Sequence, residues 1–533
     1  MNLHIYVFLV LVLSCVLFAN GKLNFGPWFP ATEGEPWPLP WIKNTSNESL
    51  FLHPINFVIK TEDNDCQILY DAIQRYTSII ITESNSAGRF TNGNEKLDSS
   101  IIGNLTRLNI KKLKFCEKMP YFQMDESYSL EIIENESNLN ADSVWGVLRG
   151  LETFSQLLSA SGKGNSLKIR KQIIKDKPRL PHRGLLLDTS RHFIPVKDIL
   201  LTLDAMSYNK LNVFHWHIVD DNSFPFKSAI FPELSSKGAY HPSMIYKKND
   251  IEQIINYARL RGIRVIPEFD TPGHTESWGQ GYPDLLTKCY DENGNLDGTV
   301  GPLDPTNPKV YEFLEKLFHE IVDIFPEKYL HLGGDEVPFK CWESNLKILN
   351  FMKNHMMKNF TELENFYINK LLNITNNLNS KTIVWQEVFD NGVKIEADTI
   401  VQVWIGPAWK KEVVKVTEAG NPVILSACWY LSDLLSGGDW KKFYYCDPLL
   451  FSGTKDQKKL MMGGEACMWG EYVDKNNLHQ RIWPRASAAA ERLWSFNIQP
   501  MNFVSKRLEE HSCRMNKRGV PAQPPNGSGF CLI

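Results

Sequence analysis

Apolar and polar positions alternate in two different rhythms along this chain, and the change of rhythm divides it. From Lys22 to about Leu180 the elements are mixed. Ile68, Leu69, Ala72, Ile73, Tyr76, Ile79 and Ile80 recur with helical spacing, as do Val144, Val147, Leu148, Leu151, Phe154 and Leu158. Between them, Tyr128, Leu130 and Ile132 alternate as in a half-buried strand. Strands and helices without steady alternation predict a smaller α+β domain over 22–180. The stretch from Lys175 to His182, with Pro178 and Pro181 among mixed charges, reads as a linker.

From 181 to 533 short apolar runs recur, most of them followed by a helical stretch. The runs predict strands over Gly184–Asp188, Leu211–Val219, Ile263–Phe269, Tyr329–Leu332, Thr382–Val388, Thr399–Trp404, Pro422–Ala427 and Met461–Met468. Helical spacing falls at Val196–Ser207, Asp250–Arg261, Val310–Phe325, Thr361–Leu378, Trp409–Ala419 and Arg481–Phe496. Eight strands alternating with helices over about 350 residues predict an α/β fold, a (β/α)8 TIM barrel with insertions. A doubly wound open sheet competes, but no glycine-rich phosphate turn supports it.

In such a barrel, chemistry gathers at the C-terminal strand ends. Here those ends carry Asp188-Thr-Ser-Arg191-His192, Asp220-Asp221, Glu268-Phe-Asp270-Thr-Pro-Gly-His274 and Asp335-Glu336. The later strands end in Trp385 with Glu387, Trp404, Trp429-Tyr430 and Trp469-Gly-Glu471. Ionisable groups crowd half of the ring and aromatics the other half. The fourth strand runs through His331-Leu-Gly-Gly to two adjacent acids, which on a strand point to opposite sides. Asp335 and Glu336 should therefore serve different targets.

Composition narrows the class. With 43% hydrophobic and 22% charged residues the 533-residue chain is ordinary globular protein. A net charge of -3 without a basic block argues against nucleic acid or an anionic membrane as the main partner. Ile5 to Phe18, ending at Ala19-Asn20-Gly21, reads as a signal peptide over 1–21, and no later run reaches transmembrane length. Seven glycosylation sequons follow, at Asn44, Asn47, Asn104, Asn135, Asn359, Asn373 and Asn526. Nine cysteines remain after Cys15, without metal spacing, so structural disulfides in an oxidising compartment are expected. The odd count leaves one thiol over, and Cys467, in a strand-like segment, is the choice for it.

The rim offers no nucleophilic Ser or Cys. Aromatic faces suit a pyranose ring, Arg and carboxylates suit its hydroxyls, and carboxylates supply acid/base work at a glycosidic bond. Residue type alone thus points to a glycosidase. His215-Trp-His217 raises a metal-dependent hydrolase, but partner ligands are not evident, and packing or hydrogen bonding behind the site is the reading for both.

Through the barrel the chain resembles the β-N-acetylhexosaminidases of glycoside hydrolase family 20, and within them the lysosomal hexosaminidase subunits. The resemblance is carried by Arg183-Gly-Leu-Leu-Leu-Asp-Thr-Ser-Arg-His192, His215-Trp-His-Ile-Val-Asp-Asp221, Glu268-Phe-Asp-Thr-Pro-Gly-His-Thr275, His331-Leu-Gly-Gly-Asp-Glu-Val337, Val384-Trp-Gln-Glu387 and Gly463-Gly-Glu-Ala-Cys-Met-Trp-Gly-Glu471. It implies exo-acting removal of terminal β-linked N-acetylglucosamine or N-acetylgalactosamine, without cofactor or metal. The substrate's own acetamide oxygen would attack, giving an oxazolinium with net retention. Glu336 would be the general acid/base, Asp335 would hold the acetamide N–H, and Tyr430 its oxygen. His274 and Asp220 would relay to Glu336, and Asp270 would support Asp335. Arg191 and Glu471 would bind hydroxyls, while Trp385, Trp404 and Trp469 would wall the pocket.

The resemblance also implies disulfides Cys66–Cys116, Cys289–Cys341 and Cys513–Cys531; Cys428 and Cys446 are then left over and could form an extra pair, their pairing with Cys467 staying open. It implies a homo- or heterodimer with a related subunit, in the lysosome or secreted. One departure stands out. After Tyr430 the chain reads Leu431-Ser432-Asp433, where α-like subunits carry Asn-Arg and β-like ones Asp-Leu. With no cation there, neutral sugar ends are favoured over sulfated ones. Two rivals are a secreted enzyme processing chito-oligosaccharides and a silent glycan-binding protein. The second could lose Glu336 or Asp335, yet both stand.

Overall fold

The computed structural model describes residues 28–62, 65–89, 98–114, 116–432 and 438–532. The signal segment therefore lies outside the described residues, as does Asp433. Ahead of the barrel, strand Ile42–Leu52 pairs parallel with Ile101–Lys111 and antiparallel with Leu167–Asp176. Tyr128–Ile132 lies antiparallel to both Asn135–Asn140 and Leu167–Asp176. Helices Gln67–Arg89 and Val144–Gln156 share one apolar core with this seven-stranded sheet. Ser143 caps the second helix by accepting the Gly146 N–H.

The second body is a closed eight-stranded parallel barrel. Its strands, in order, are His182–Asp188, Val213–His217, Arg264–Glu268, Tyr329–His331, Lys381–Trp385, Ile400–Val403, Val423–Leu425 and Met461–Met468. The fold is thus the expected TIM barrel behind an α+β domain. The last helical stretch is two helices, Leu478–Ile482 and Arg485–Trp494, because the intervening Pro484 cannot donate to a continuous helix.

Both faces of each strand are buried, which is why the strands read as nearly continuous apolar runs. Alternation still governs them. Phe214 and Trp216 join the core shared with the outer helices, whereas Val213 packs inside with Ile266, Ile383, Ile400 and Ile424. Above this apolar layer, the same inward rows supply His215, His217, Glu268 and Glu465, all buried.

The two bodies meet over buried ion pairs. Glu126 accepts from Arg183 Nη2 at 2.6 and 2.7 Å and from Arg149 Nε at 2.8 Å. Lys210 Nζ reaches Asp176 Oδ2 at 2.9 Å, and Trp494 Nε1 donates to the same carboxylate. Four disulfides form, Cys66–Cys116, Cys289–Cys341, Cys428–Cys446 and Cys513–Cys531, and Cys467 is a free, buried cysteine. Among the described residues no helix is long and apolar enough to cross a membrane.

Candidate active site

The adjacent acids diverge, but not by strand alternation. The fourth strand stops at His331, and Gly333 (φ +69°) and Gly334 (φ +93°) turn the chain through the left-handed region. A Cβ on Gly333 would lie 1.7 Å from Asp270 Oδ1, so no larger residue fits. Glu336 itself is left-handed, at φ +49°. The turn buries Asp335 and leaves the Glu336 side chain 61% exposed.

Asp335 is set among acids. Asp270, fixed by the Gly334 N–H at 2.8 Å, is hydrogen-bonded to it. Burial, and then the neighbouring Asp335 charge, push the Asp270 carboxyl well above the usual range. Asp335 Oδ1 is buried without a hydrogen-bond partner among the described residues.

His274 (φ +55°) sits between the two acids and Asp220. Its Nδ1 lies 3.2 Å from Asp220 Oδ1, and its Nε2 lies 3.8 Å from both Asp335 Oδ2 and Glu336 Oε2. Burial disfavours the imidazolium, but the Asp220 hydrogen bond and the Asp335 and Asp220 charges prevail, lifting its pKa to about 9. Burial would raise Asp220, yet His217, His274 and Arg191 hold it far below the usual carboxylate range. Arg191 is braced by Asp220 Oδ2 at 2.8 Å and Asp188 Oδ2 at 3.2 Å, with its guanidinium over the Trp469 ring. Glu471 is exposed, and its charge adds to the field that keeps Arg191 protonated.

The aromatics form the facing wall. Trp404 and Tyr430 stack at 6.0 Å, and Tyr430 and Trp469 lie 6.5 Å apart. Trp385, fully buried, packs with them, 6.4 Å from Trp404 and 6.0 Å from Trp469. Its indole N–H donates to Glu268 at 2.8 Å, which holds it as a floor. Burial, then the Asp335 charge, lift Glu387 to about 7, although it accepts the Trp404 indole N–H at 2.8 Å.

On the outer side of Glu336 opens a cavity of about 540 Å3, lined by His274, Glu336, Asp221 and Tyr290. None of the aromatic wall lines it. Its far side is a hairpin, Leu286–Tyr290 with Leu296–Leu303, tied down by Cys289–Cys341. Asp221 is structural here, accepting the Glu276 N–H at 2.9 Å. Sequence reasoning missed this hairpin, although Asn293-Gly294 is a strong hairpin-turn signal.

It also missed Glu465, and the partners of Glu268, since an acid inside an apolar run shows no partner in sequence. Glu268 is paired with His215 and His217, and Glu465 with His215, so both histidines make buried ionic contacts inside the barrel. His215, Glu268 and His331 bring donor atoms within 4.8 Å of one another, as do Asp220, Asp221 and His274, and Asp270, His274 and Asp335. In the first set Glu268 already meets three imidazoles and an indole, so its lone pairs are committed. Six sequon asparagines are exposed, but Asn526 is buried with its amide donating to Ser505 O and Glu509 at 2.9 Å. A glycan would need that nitrogen in solvent, so Asn526 is not an acceptor in this fold.

A parallel barrel with carboxylates and aromatics at its C-terminal rim defines a glycosidase architecture, and the comparisons name the family. The catalytic domain of glycosyl hydrolase family 20 matches residues 180–497, and a "beta-acetyl hexosaminidase like" domain matches 36–157. The chain belongs to glycosyl hydrolase family 20. It is accordingly a glycoside hydrolase of the β-hexosaminidase class. It is 48% identical over 515 residues to the β-hexosaminidase β subunit of Homo sapiens, covering 94% of this chain and 91% of that one. It is 47% identical over 506 residues to the α subunit of Rattus norvegicus, covering 93% and 94%. Among solved structures, a chitobiase of Flavobacterium johnsoniae aligns with TM-score 0.78 and 30% identity, over 91% of this chain and 73% of that one.

Proposed function

We propose that this enzyme removes terminal, non-reducing β-linked N-acetylglucosamine and N-acetylgalactosamine with retention, using the substrate's acetamide as nucleophile. The acetamide oxygen bonds to the anomeric carbon as the glycosidic bond breaks, and Glu336 protonates the departing oxygen. The resulting oxazolinium is opened by water, whose proton returns to Glu336. An intramolecular nucleophile gains effective molarity only if held in an attacking pose.

The observation that carries this reading is Asp335 Oδ1: a buried carboxylate oxygen without a hydrogen-bond partner among the described residues, its carboxylate close enough to act on the Tyr430 hydroxyl. A buried acceptor left unpaired costs about 1–3 kcal/mol, and an acetamide N–H satisfies it. Asp270, whose carboxyl burial pushes well above the usual range, is hydrogen-bonded to Asp335, which is placed to stabilise positive charge on the intermediate. Burial keeps the Tyr430 hydroxyl protonated, as needed to donate to the acetamide oxygen. Trp404 and Trp469 enclose the ring above the Trp385 floor, while Arg191 and Glu471 take its hydroxyls. His274, charged and anchored by Asp220, steadies Glu336.

The leaving group enters the cavity outside Glu336, which has room for further sugar units. That favours oligosaccharide ends and keeps chito-oligosaccharides as the second reading. Because the relatives are named as subunits, we also place this chain in a homo- or heterodimer, and its exposed sequons and disulfides in the secretory route, lysosomal or secreted. The test is a thiazoline mimic of the oxazolinium, with a panel of neutral, sulfated and chito-oligomeric substrates. Competitive inhibition far tighter than substrate binding and a β-configured first product are expected. A trapped covalent glycosyl-enzyme would overturn the mechanism.

A further inference from the structure

The carboxylate that anchors His274 is one link of a longer line. Asp220 Oδ2 accepts from His217 Nε2–H at 2.7 Å, and His217 Nδ1–H donates to Glu268 Oε2 at 2.6 Å. Glu268 Oε2 also lies 3.0 Å from His215 Nε2, and His215 Nδ1 is 2.8 Å from Glu465 Oε2. The other oxygen of Glu465 meets His182 Nε2 at 2.6 Å, at the start of the first strand. Imidazole and carboxylate thus alternate from the lower barrel to the rim, each at most 1% exposed below His274. Packing does not require them: burying ions costs several kcal/mol each, and apolar replacements of similar volume are often neutral or stabilising. The line ends at the reacting acids.

We propose that His217 and Glu268 are positioning residues for Glu336: they fix a positive charge against Asp220 and thereby set the pH at which the acid form of the enzyme is lost. The inference rests on Glu336 being the acid/base proposed above. His217 is faced by Glu268 from the third strand, by Asp220 beyond its own strand, by Arg191 after the first, and by the Trp469 ring at 4.9 Å. Burial opposes its charge, but Glu268 and Asp220 prevail and lift it to about 10. His274 is faced by Asp220, Arg191, Asp270, Asp335 and Glu336.

The sign follows from charge. The His217 cation offsets part of the Asp220 charge. Without it, Asp220 acts more fully on His274 and makes the potential at Glu336 more negative. An acid in a more negative potential keeps its proton to higher pH. His217→Gln still donates to Asp220 but carries no charge, so the alkaline limb of kcat/KM should move up. Adding Glu268→Gln removes the unbalanced anion and should move it back.

The experiment measures kcat/KM of an aryl β-N-acetylglucosaminide from about pH 3 to 9 for the intact chain, His217→Gln, His217→Asn, the double variant and Glu336→Gln. The expected result is an upward shift of the alkaline limb by about half to one pH unit in both His217 variants, reversed in the double variant. A uniform drop in rate with unmoved limbs is what a merely structural role gives, and it overturns the inference. Near-normal turnover of Glu336→Gln overturns the acid/base reading itself, a different failure. Should the His217 variants not fold, NMR of ε1-labelled histidines in the unaltered chain decides: an imidazolium assigned to His217 that persists beyond about pH 8 is required, and a neutral His217 ring overturns the inference.

Discussion

Two buried ionic clusters sit at opposite ends of this barrel, and only one is complete. At the base, Arg183 donates to Glu126, Leu180 O and Lys210 O, and Arg149 to Glu126, Arg261 O and Gly262 O. Among the described residues no polar side-chain atom of Glu126, Arg149, Arg183, Asp176 or Lys210 is buried without a partner. At the rim, Asp335 Oδ1 and His274 Nε2 are both buried without a hydrogen-bond partner among the described residues. Two carboxyls, Asp270 and Asp335, are also hydrogen-bonded to each other there, and burial pushes Asp270 well above the usual range. The same chemistry is used twice: saturated, it fastens two bodies; left incomplete, it leaves polar atoms that the proposed substrate would complete.

Breaking the base should cost stability and little else. Glu126→Gln leaves Arg149 and Arg183 buried without their anion, and a loss of about 3–5 kcal/mol is expected. Chemical denaturation checks it, with kcat of the folded fraction unchanged. Breaking the rim should do the reverse. Asp335→Asn removes the acceptor proposed for the substrate amide and should lower kcat about 10²–10³-fold, close to 2.7–4 kcal/mol. Its melting temperature should not fall, because the acid crowding with Asp270 is relieved; a large drop would mean that Asp335 is structural.

The smallest effect concerns pH. His215, His217 and His274 are held at about 9, 10 and 9, above the roughly 6.5 of an unfolded imidazole. Between those values the folded chain binds more protons, so their contribution is complete below about pH 6.5 and lost as pH rises through 9 to 10. His274→Gln should flatten this alkaline loss in thermal melts, and Glu126→Gln should leave its slope unchanged.

Much of this architecture was legible in the sequence for a physical reason. Strands buried on both faces read as apolar runs, and the residues that interrupt their C-terminal ends must reach the rim. That places Arg191, Asp220, Asp270, His274, Tyr430 and Trp469 without knowledge of any contact. The turn at Gly333-Gly334 was misread as continuing strand, since alternation and a left-handed turn both separate adjacent acids. The barrel-axis line was not legible, because its links are far apart in the chain, as with His215 and Glu465, 250 positions apart.

The central claim is that Asp335 and Glu336 serve different atoms of one substrate. It is tested most directly by kcat/KM on aryl β-N-acetylglucosaminides of graded leaving-group acidity. For Glu336→Gln the deficit should shrink steadily as the leaving group becomes more acidic, because such a group needs no proton. For Asp335→Asn it should stay constant across the series. Parallel behaviour of the two variants would contradict the division of labour between the two acids.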